Sequence, residues 1–160
     1  MKANLDKAIA FILEDEGGYA KRANEPGGAV NMGVSMTALT SWRLVHNRPR
    51  PSFVDLHALT KDEAEAIYTT NYALPIHFET LPAGLDYAAL DAAVNEGVEA
   101  ARAFLLVTTP IKDVKARIQA LSDLRLAVKK ARPEWAQFGP GWTARIGDRV
   151  VQRAKLIGGF

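Results

Sequence analysis

The chain has 160 residues, no cysteine and a formal net charge of +2, and 48% of its residues are hydrophobic. This length predicts one domain, or one domain with a small additional lobe, and the apolar fraction is sufficient for a hydrophobic core. The lack of cysteine excludes a disulfide framework and thiolate chemistry. No segment has the length and hydrophobicity of a predicted membrane span.

The first predicted element is a helix that ends at Glu16. Its apolar residues recur at helical spacing and include Leu5, Ile9, Ile12 and Leu13. Glu16 lies four residues after Ile12 and continues that stripe, and Gly17 and Gly18 end the helix. The negative end of the helix dipole and partial burial both predict a raised pKa for Glu16, as a general acid requires. The alternative is a helix-capping sequence with a solvated carboxylate.

A glycine-rich segment follows this helix. Pro26–Gly28 predicts a turn, and the weak alternation over Val30–Met36 predicts a short strand or hairpin. Such a segment could fold back so that Glu25 and Asn31 face Glu16. Two carboxyls in one place are the minimum requirement for hydrolysis of a glycosidic bond. The alternative is a surface turn in which Asn31 hydrogen-bonds the backbone.

The remainder of the chain predicts helices. We expect a loop near residues 132–141 and a capping box in which Thr60 begins a helix and Glu63 reaches back. Asp86–Leu106 is Ala-rich and predicts a long, buried central helix. The other predicted helices are Thr37–Leu44, the segment after Thr60, Lys112–Lys130 and Trp142–Leu156.

Polar and aromatic residues offer candidate sugar contacts. Asp91 and Asn95 lie four residues apart, on one side of the central helix, where they would bind sugar hydroxyls or tie loops to the helix. The rings near the proposed cleft, which could stack on sugars, are Tyr19, Tyr68 and Tyr72. A second aromatic group would anchor a turn to the core or form an exposed surface, and it comprises Trp135, Phe138 and Trp142.

Charge is distributed unevenly along the chain. Residues 1–111 contain nine Lys/Arg and fourteen Asp/Glu, whereas residues 112–160 contain eleven Lys/Arg and four Asp/Glu. The basic part favours an anionic polymer such as cell wall or nucleic acid, or it is a solvated helix face. No nucleic-acid motif accompanies it. The three histidines are scattered and form no zinc motif, so we expect no metal and no cofactor.

Eight segments together resemble glycoside hydrolase family 108, the bacterial and phage N-acetylmuramidases, over nearly the whole chain. Their order and spacing are those of the family, which makes the combination specific. The segments are Glu16–Tyr19, Glu25–Gly28, Asn31–Val34, Leu59–Tyr68, Leu81–Gly84, Asp91–Asn95, Leu124–Leu126 and Phe138–Trp142.

This resemblance implies a mainly α, lysozyme-like fold with a small β-hairpin or loop excursion after the first helix. It implies cleavage of the β-1,4 bond between N-acetylmuramic acid and N-acetylglucosamine, with Glu16 at the position of the catalytic glutamate. Glu25 stands where the family usually has aspartate, Val30 where threonine is common, and Ala73 where tryptophan is frequent. We therefore expect Glu16 and Glu25 to be catalytic, and the substrate-binding residues to be Tyr19, Asn31, Tyr72, Asp91 and Asn95.

The resemblance also divides the chain into a catalytic lobe, residues 1–106, and a carboxy-terminal peptidoglycan-binding lobe, residues 107–160. The expected partner is the peptidoglycan glycan strand, and nucleic acid is not expected. The amino terminus does not have the features of a secretory signal, because its apolar run is short and leads into Glu14–Glu16. We expect synthesis in the cytoplasm and action in the periplasm or cell wall, with a holin or a secretion partner providing access.

Two rival functions follow from the same sequence. The first is a catalytically weak module that binds cell wall, which the departures at Glu25, Val30 and Ala73 motivate. The second is a helical interaction protein that uses the basic carboxy-terminal face on nucleic acid, which steeply salt-dependent DNA binding would reveal.

Overall fold

The computed structural model describes residues 2–21 and 28–160, and it is mainly helical with a small antiparallel sheet after the first helix. The first elements are α1 (Lys2–Glu16), β1 (Ala20–Lys21), β2 (Ala29–Asn31), β3 (Val34–Ser35), α2 (Met36–Val45), α3 (Phe53–His57) and α4 (Lys61–Tyr68). A π-helix (Thr69–Ala73) and a 3-10 helix (Phe78–Thr80) follow. The remaining elements are α5 (Leu85–Glu96), α6 (Val98–Thr108), α7 (Val114–Lys130), α8 (Trp135–Trp142), a π-helix (Thr143–Val150) and α9 (Val151–Gly158).

The chain divides into two compact units. The hairpin unit is Ile9–Asn71, and the bundle unit comprises residues 1–8 and 72–160. This boundary differs from the predicted division into residues 1–106 and 107–160, because α5 packs against α7 and α9 as well as α6. The central helix and the carboxy-terminal helices therefore share one core.

In the hairpin unit, β2 pairs with both β1 and β3, which confirms the strand signal over Val30–Met36. Asn31 lies opposite Val34, so Met32 and Gly33 form a two-residue turn. Both have positive φ, +48° and +74°, as a type I′ turn requires. This turn matches the right-handed twist of the strands that it joins, and it fixes the register of the hairpin.

Helices α2, α3 and α4 complete the hairpin unit, and their amino termini are capped by Ser35, Ser52 and Thr60. The predicted cap at Thr60 is confirmed, since its hydroxyl accepts from the Glu63 amide at 3.2 Å. The predicted reciprocal contact is replaced, because the Glu63 carboxylate pairs with Arg43 at 3.0 Å. The reciprocal box occurs instead at Ser52 and Asp55.

A carboxylate between α2 and α3 stabilises this arrangement. Asp55 accepts from the Ser52 hydroxyl and amide and pairs with Arg43 at 3.1 Å. The Ser52 hydrogen bonds, followed by the Arg43 guanidinium, hold the pKa of Asp55 well below its usual range. Arg43 therefore links α2 to α3 through Asp55 and to α4 through Glu63.

In the bundle unit, α5 is the central element, and its residues from Leu85 to Ala93 are buried. Gly84 is the N-cap residue of this helix, with φ +89°, and a Cβ there would lie 2.5 Å from the Ala154 carbonyl oxygen. The predicted single helix Asp86–Leu106 is wrong, because Gly97 at φ +95° separates α5 from α6. Glycine adopts this backbone conformation without a Cβ clash.

The loop predicted near residues 132–141 is also wrong, since α8 begins at Trp135. Gly139 is needed for packing and not for a turn, because a Cβ on this residue would lie 2.7 Å from Cε2 of Trp135. Pro140 is accommodated within the helix, and the π-helix and α9 continue from it. Among residues 2–21 and 28–160, no helix combines the length and hydrophobicity of a membrane span.

Candidate active site

The predicted general acid, Glu16, is the last residue of α1. Gly17 follows it at φ +70°, and its amide donates to the Leu13 carbonyl at 3.1 Å. The glycine therefore ends the helix where the sequence predicts. Glu16 is half-buried.

The hairpin turn lies directly against this carboxyl. A Cβ atom on Gly33 would collide with the Tyr68 hydroxyl and would lie 2.8 Å from Cγ and 2.9 Å from Oε2 of Glu16. No side chain fits at this position, so Glu16 and Tyr68 pack on the backbone of the turn. The close approach requires glycine in addition to the positive φ of the turn.

Tyr68, on α4, fixes the turn from the other side. Its hydroxyl donates to the Met32 carbonyl at 2.9 Å, and the residue is only 2% exposed. The predicted stacking of this ring on a sugar is therefore wrong, because the ring is enclosed in the hairpin unit. Tyr68 instead positions the turn against which the Glu16 side chain rests.

Asn31 has a comparable positioning contact. It is 7% exposed, and its side-chain amide donates to the carbonyls of Leu56 and His57, each at 3.0 Å. Both N–H donors are thus used to attach β2 to the carboxy-terminal end of α3. This is the backbone-bonding alternative considered for Asn31, and the geometry gives it a supporting role rather than a sugar contact.

Tyr19 is the aromatic candidate at the surface of the hairpin unit. It is 41% exposed and lies three residues beyond Glu16, and its ring centroid is 4.6 Å from that of His57. The tilted contact orients the ring while leaving part of it accessible. Tyr19 therefore keeps the exposure that a sugar contact requires.

Two further predicted residues lie elsewhere in the chain. Glu25, the predicted second carboxyl, falls outside the described residues. Tyr72 belongs to the bundle unit, where it is half-buried within the π-helix Thr69–Ala73. Ala73, at the position where the family often has tryptophan, is buried in the same π-helix.

Asp91 and Asn95 also belong to the bundle unit. The Asp91 side chain is fully buried and pairs with Arg125 at 2.7 Å and Arg145 at 3.3 Å. The Asn95 amide donates to the Asp91 backbone carbonyl at 2.8 Å. Asp91 therefore joins α5 to α7 and to the π-helix Thr143–Val150, which is the structural role considered as the alternative. Its predicted contact with sugar is wrong, because the carboxylate is enclosed.

The carboxy-terminal aromatic residues form one cluster on α8. The Trp142 ring lies 6.1 Å from Trp135 and 5.8 Å from Phe138, and Phe138 is 47% exposed. Lys129 lies over the Trp142 ring and Lys130 over the Trp135 ring. The cluster packs α8 on α7 and presents one exposed ring.

Sequence reasoning missed the roles of Gly33 and Tyr68. The dipeptide Met32–Gly33 between two short strands carries a signal for the tight turn. No local signal pairs the Tyr68 hydroxyl with Met32, thirty-six residues away. Among the described residues, no group of His, Cys, Asp and Glu has the arrangement of a metal site.

Chemically, this part of the hairpin unit can hold one carboxyl in a fixed position at a helix end. A comparison with curated proteins found no match. The chain is similar to the solved structure of Brucella abortus SagA, with a TM-score of 0.83 and 33% identity over 99% of this chain and 97% of that one. The family model described as Glycosyl hydrolase 108 matches residues 9–97, which include Glu16, Gly33 and Tyr68. The chain therefore belongs to glycoside hydrolase family 108, and it has a lysozyme-like fold.

Proposed function

We propose that this glycoside hydrolase cleaves peptidoglycan at the β-1,4 bond between N-acetylmuramic acid and N-acetylglucosamine. The observation that carries the proposal is the position of Glu16 at the end of α1, in contact with the Gly33 backbone. Membership of the family supports the same reaction class. Because this substrate lies outside the cytoplasmic membrane, the proposed place of action is the periplasm or cell wall, reached through a holin or secretion partner.

In the proposed mechanism, Glu16 in its protonated form donates to the bridging glycosidic oxygen. The bond from that oxygen to the anomeric carbon breaks as the sugar gains oxocarbenium character, and water completes the hydrolysis. Glu25 orients the attacking water or stabilises the positive charge. The separation of the two carboxyls decides between these roles and between inversion and retention.

Substrate binding is proposed to involve the exposed ring of Tyr19. Flat rings suit the apolar faces of sugars and need only modest exposure. The supporting geometry is strongest for Tyr19, because His57 holds its ring while 41% of the residue is exposed.

The test uses isolated Gram-negative sacculi incubated with the native protein or with Glu16→Gln. We expect the native protein to release muropeptides with a reducing N-acetylmuramic end, identified by mass spectrometry. The variant should fold normally and lose nearly all release, because an amide at this position has no acidic proton to transfer to the leaving oxygen. Unchanged release by Glu16→Gln would refute the assignment of the acid.

A matched control is Glu14→Gln, since Glu14 lies one α-helical half-turn away and is exposed. This variant makes the same Glu-to-Gln change on the same helix and should retain full activity. If neither native protein nor variant releases fragments and both sediment with sacculi, the chain is a wall-binding module without catalysis.

A further inference from the structure

The ring of His57, at the carboxy-terminal end of α3, lies against the ring of Tyr19 in the hairpin unit. The two ring planes are tilted by 58°, so the rings form a corner and not one flat surface. His57 is exposed as a residue, and no hydrogen bond of its ring to another described residue occupies its nitrogens. Tyr19 is also exposed. The corner therefore combines an aromatic face with nitrogens that can form hydrogen bonds.

Both rings are attached to neighbouring residues of the same strand, β2. Ala20, directly after Tyr19, pairs with Val30 in the sheet. The Asn31 side-chain amide donates to the backbone carbonyl of His57 at 3.0 Å. Because one strand holds the backbone of both rings, the corner is formed before a ligand binds, and binding costs little ordering there.

The strand β2 also leads into the turn that contacts the proposed acid. Asn31 directly precedes Met32 and Gly33, and a Cβ on Gly33 would lie 2.9 Å from Oε2 of Glu16. Along the chain, Tyr19 is three residues beyond Glu16, which is a reach of at most about 10–11 Å. Two separate connections, one through the chain and one through β2, therefore place the corner close to Glu16.

The chemistry of this corner suits one sugar unit of a glycan. A pyranose has apolar C–H groups on its faces and hydroxyl or acetamido groups around its rim. The ring of Tyr19 can pack on such a face. A neutral imidazole has one donor nitrogen and one acceptor nitrogen, so His57 can hydrogen-bond a hydroxyl in either direction or donate to an acetamido carbonyl.

We propose that His57 is a specificity-determining residue of the glycan site, where it hydrogen-bonds the rim of the sugar unit that lies on Tyr19. This inference rests on the proposed function, because it takes the peptidoglycan glycan as the ligand. An aromatic face alone accepts many sugars, whereas a hydrogen bond to the rim selects among them. His57 holds a sugar unit and not the bond that breaks, so its contact should lower KM without raising kcat.

The first measurement is the cleavage of a soluble, peptide-free glycan by the native protein and by His57→Phe. Phenylalanine keeps a ring against Tyr19 but has no nitrogen. We expect KM to rise by roughly 2- to 10-fold, the range for one net hydrogen bond, with kcat nearly unchanged. An unchanged KM in His57→Phe would overturn the inference.

Two further variants separate the hydrogen bond from packing. His57→Gln restores a donor and an acceptor and should recover part of the lost affinity. A loss that His57→Gln does not reduce would be one of packing and would overturn the inference. His46→Phe is the matched control, because the His46 ring stacks on Trp42 and not on Tyr19, and its KM should equal that of the native protein.

A binding measurement distinguishes failure of this inference from failure of the proposed function. The probe is the peptide-free tetrasaccharide of alternating N-acetylglucosamine and N-acetylmuramic acid, added to Glu16→Gln, which should not cleave it. We expect saturable NMR shifts of the His57 imidazole signals and none at His46. Shifts at His57 without cleavage by the native protein would support the sugar site and refute the glycosidase. Cleavage with no shift at His57, or with equal shifts at both imidazoles, would overturn the inference and leave the glycosidase in place.

Discussion

The contact between the hairpin turn and the proposed general acid makes Gly33→Ala a decisive substitution. The new methyl group would have to fit at φ +74°, where it meets Cγ of Glu16 at 2.8 Å, Oε2 at 2.9 Å and the Tyr68 hydroxyl. Favourable carbon–carbon contacts lie at about 3.5–4.0 Å, so Glu16 must move by about 1 Å or the turn must open.

The expected loss of stability has two parts. A left-handed backbone costs a non-glycine residue about 1–2 kcal/mol. Displacement of Tyr68 from the Met32 carbonyl removes a hydrogen bond with a net value of about 0.5–1.5 kcal/mol. We therefore expect the free energy of unfolding to fall by about 1.5–3.5 kcal/mol, measured by urea denaturation.

The effect on activity should be larger than the effect on stability implies. A misplacement of about 1 Å at a catalytic group can reduce the rate by about 10²-fold. The assay is the rate of muropeptide release from sacculi, measured under conditions in which the variant is fully folded. This loss should appear mainly in kcat, because the exposed ring of Tyr19 is unchanged.

Gly159→Ala is the matched control. Gly159 has nearly the same backbone angle, φ +73°, but apart from its chain neighbours no atom of the described residues lies within 4 Å of the position of its Cβ. This control should lose stability through the backbone term alone and should keep its activity. If Gly33→Ala proves as stable and as active as Gly159→Ala, the turn does not position Glu16 and the reasoning is refuted.

Three further predictions concern the groups around the two cores. Tyr68→Phe removes the hydrogen bond to Met32, so it should lower the unfolding free energy by about 1 kcal/mol. It should also reduce kcat more than it changes KM. An unchanged kcat would show that the hydroxyl does not support the site. Burial raises the pKa of Asp86 above its ordinary 3.8, so the folded state holds its proton to higher pH than the unfolded state does. The stability that protonated Asp86 contributes should therefore be present below pH 3.8 and should decline as pH rises through the raised pKa. Denaturation curves measured across this pH range should show that the free energy of unfolding falls more steeply with pH in the native protein than in Asp86→Asn. Asp91→Ala leaves Arg125 without one partner and should lower the unfolding free energy by about 3–5 kcal/mol in urea denaturation, whereas a loss below about 1 kcal/mol would contradict the structural role of Asp91.

The sequence predicts the end of α1 well because the signals there are local. The apolar stripe leads to Glu16, and Gly17 provides the left-handed residue that ends a helix. The short strand or hairpin over Val30–Met36 is predicted from a local signal as well, the alternation of apolar and polar residues. The contact of Tyr68 with that turn depends on tertiary packing, which periodicity does not reveal.

The errors in the bundle unit have the same physical origin. Apolar residues continue on both sides of Gly97, so the pattern alone suggests one helix. Glycine and proline near Pro140 suggest a loop, but Gly139 is there because the Trp135 ring packs against it. The spacing of Asp91 and Asn95 places them on one side of α5 without indicating that Arg125, thirty-four residues after Asp91, lies on that side.

The pairing of Lys21 with Ala29 has a consequence for the position of the hairpin turn. β1 begins four residues after Glu16, and it is hydrogen-bonded to β2, the strand that leads into the turn at Met32 and Gly33. The strand that leaves the helix end therefore also holds the strand that carries the turn. This pairing limits how far the turn can move away from Glu16, independently of the contact that Tyr68 makes with Met32.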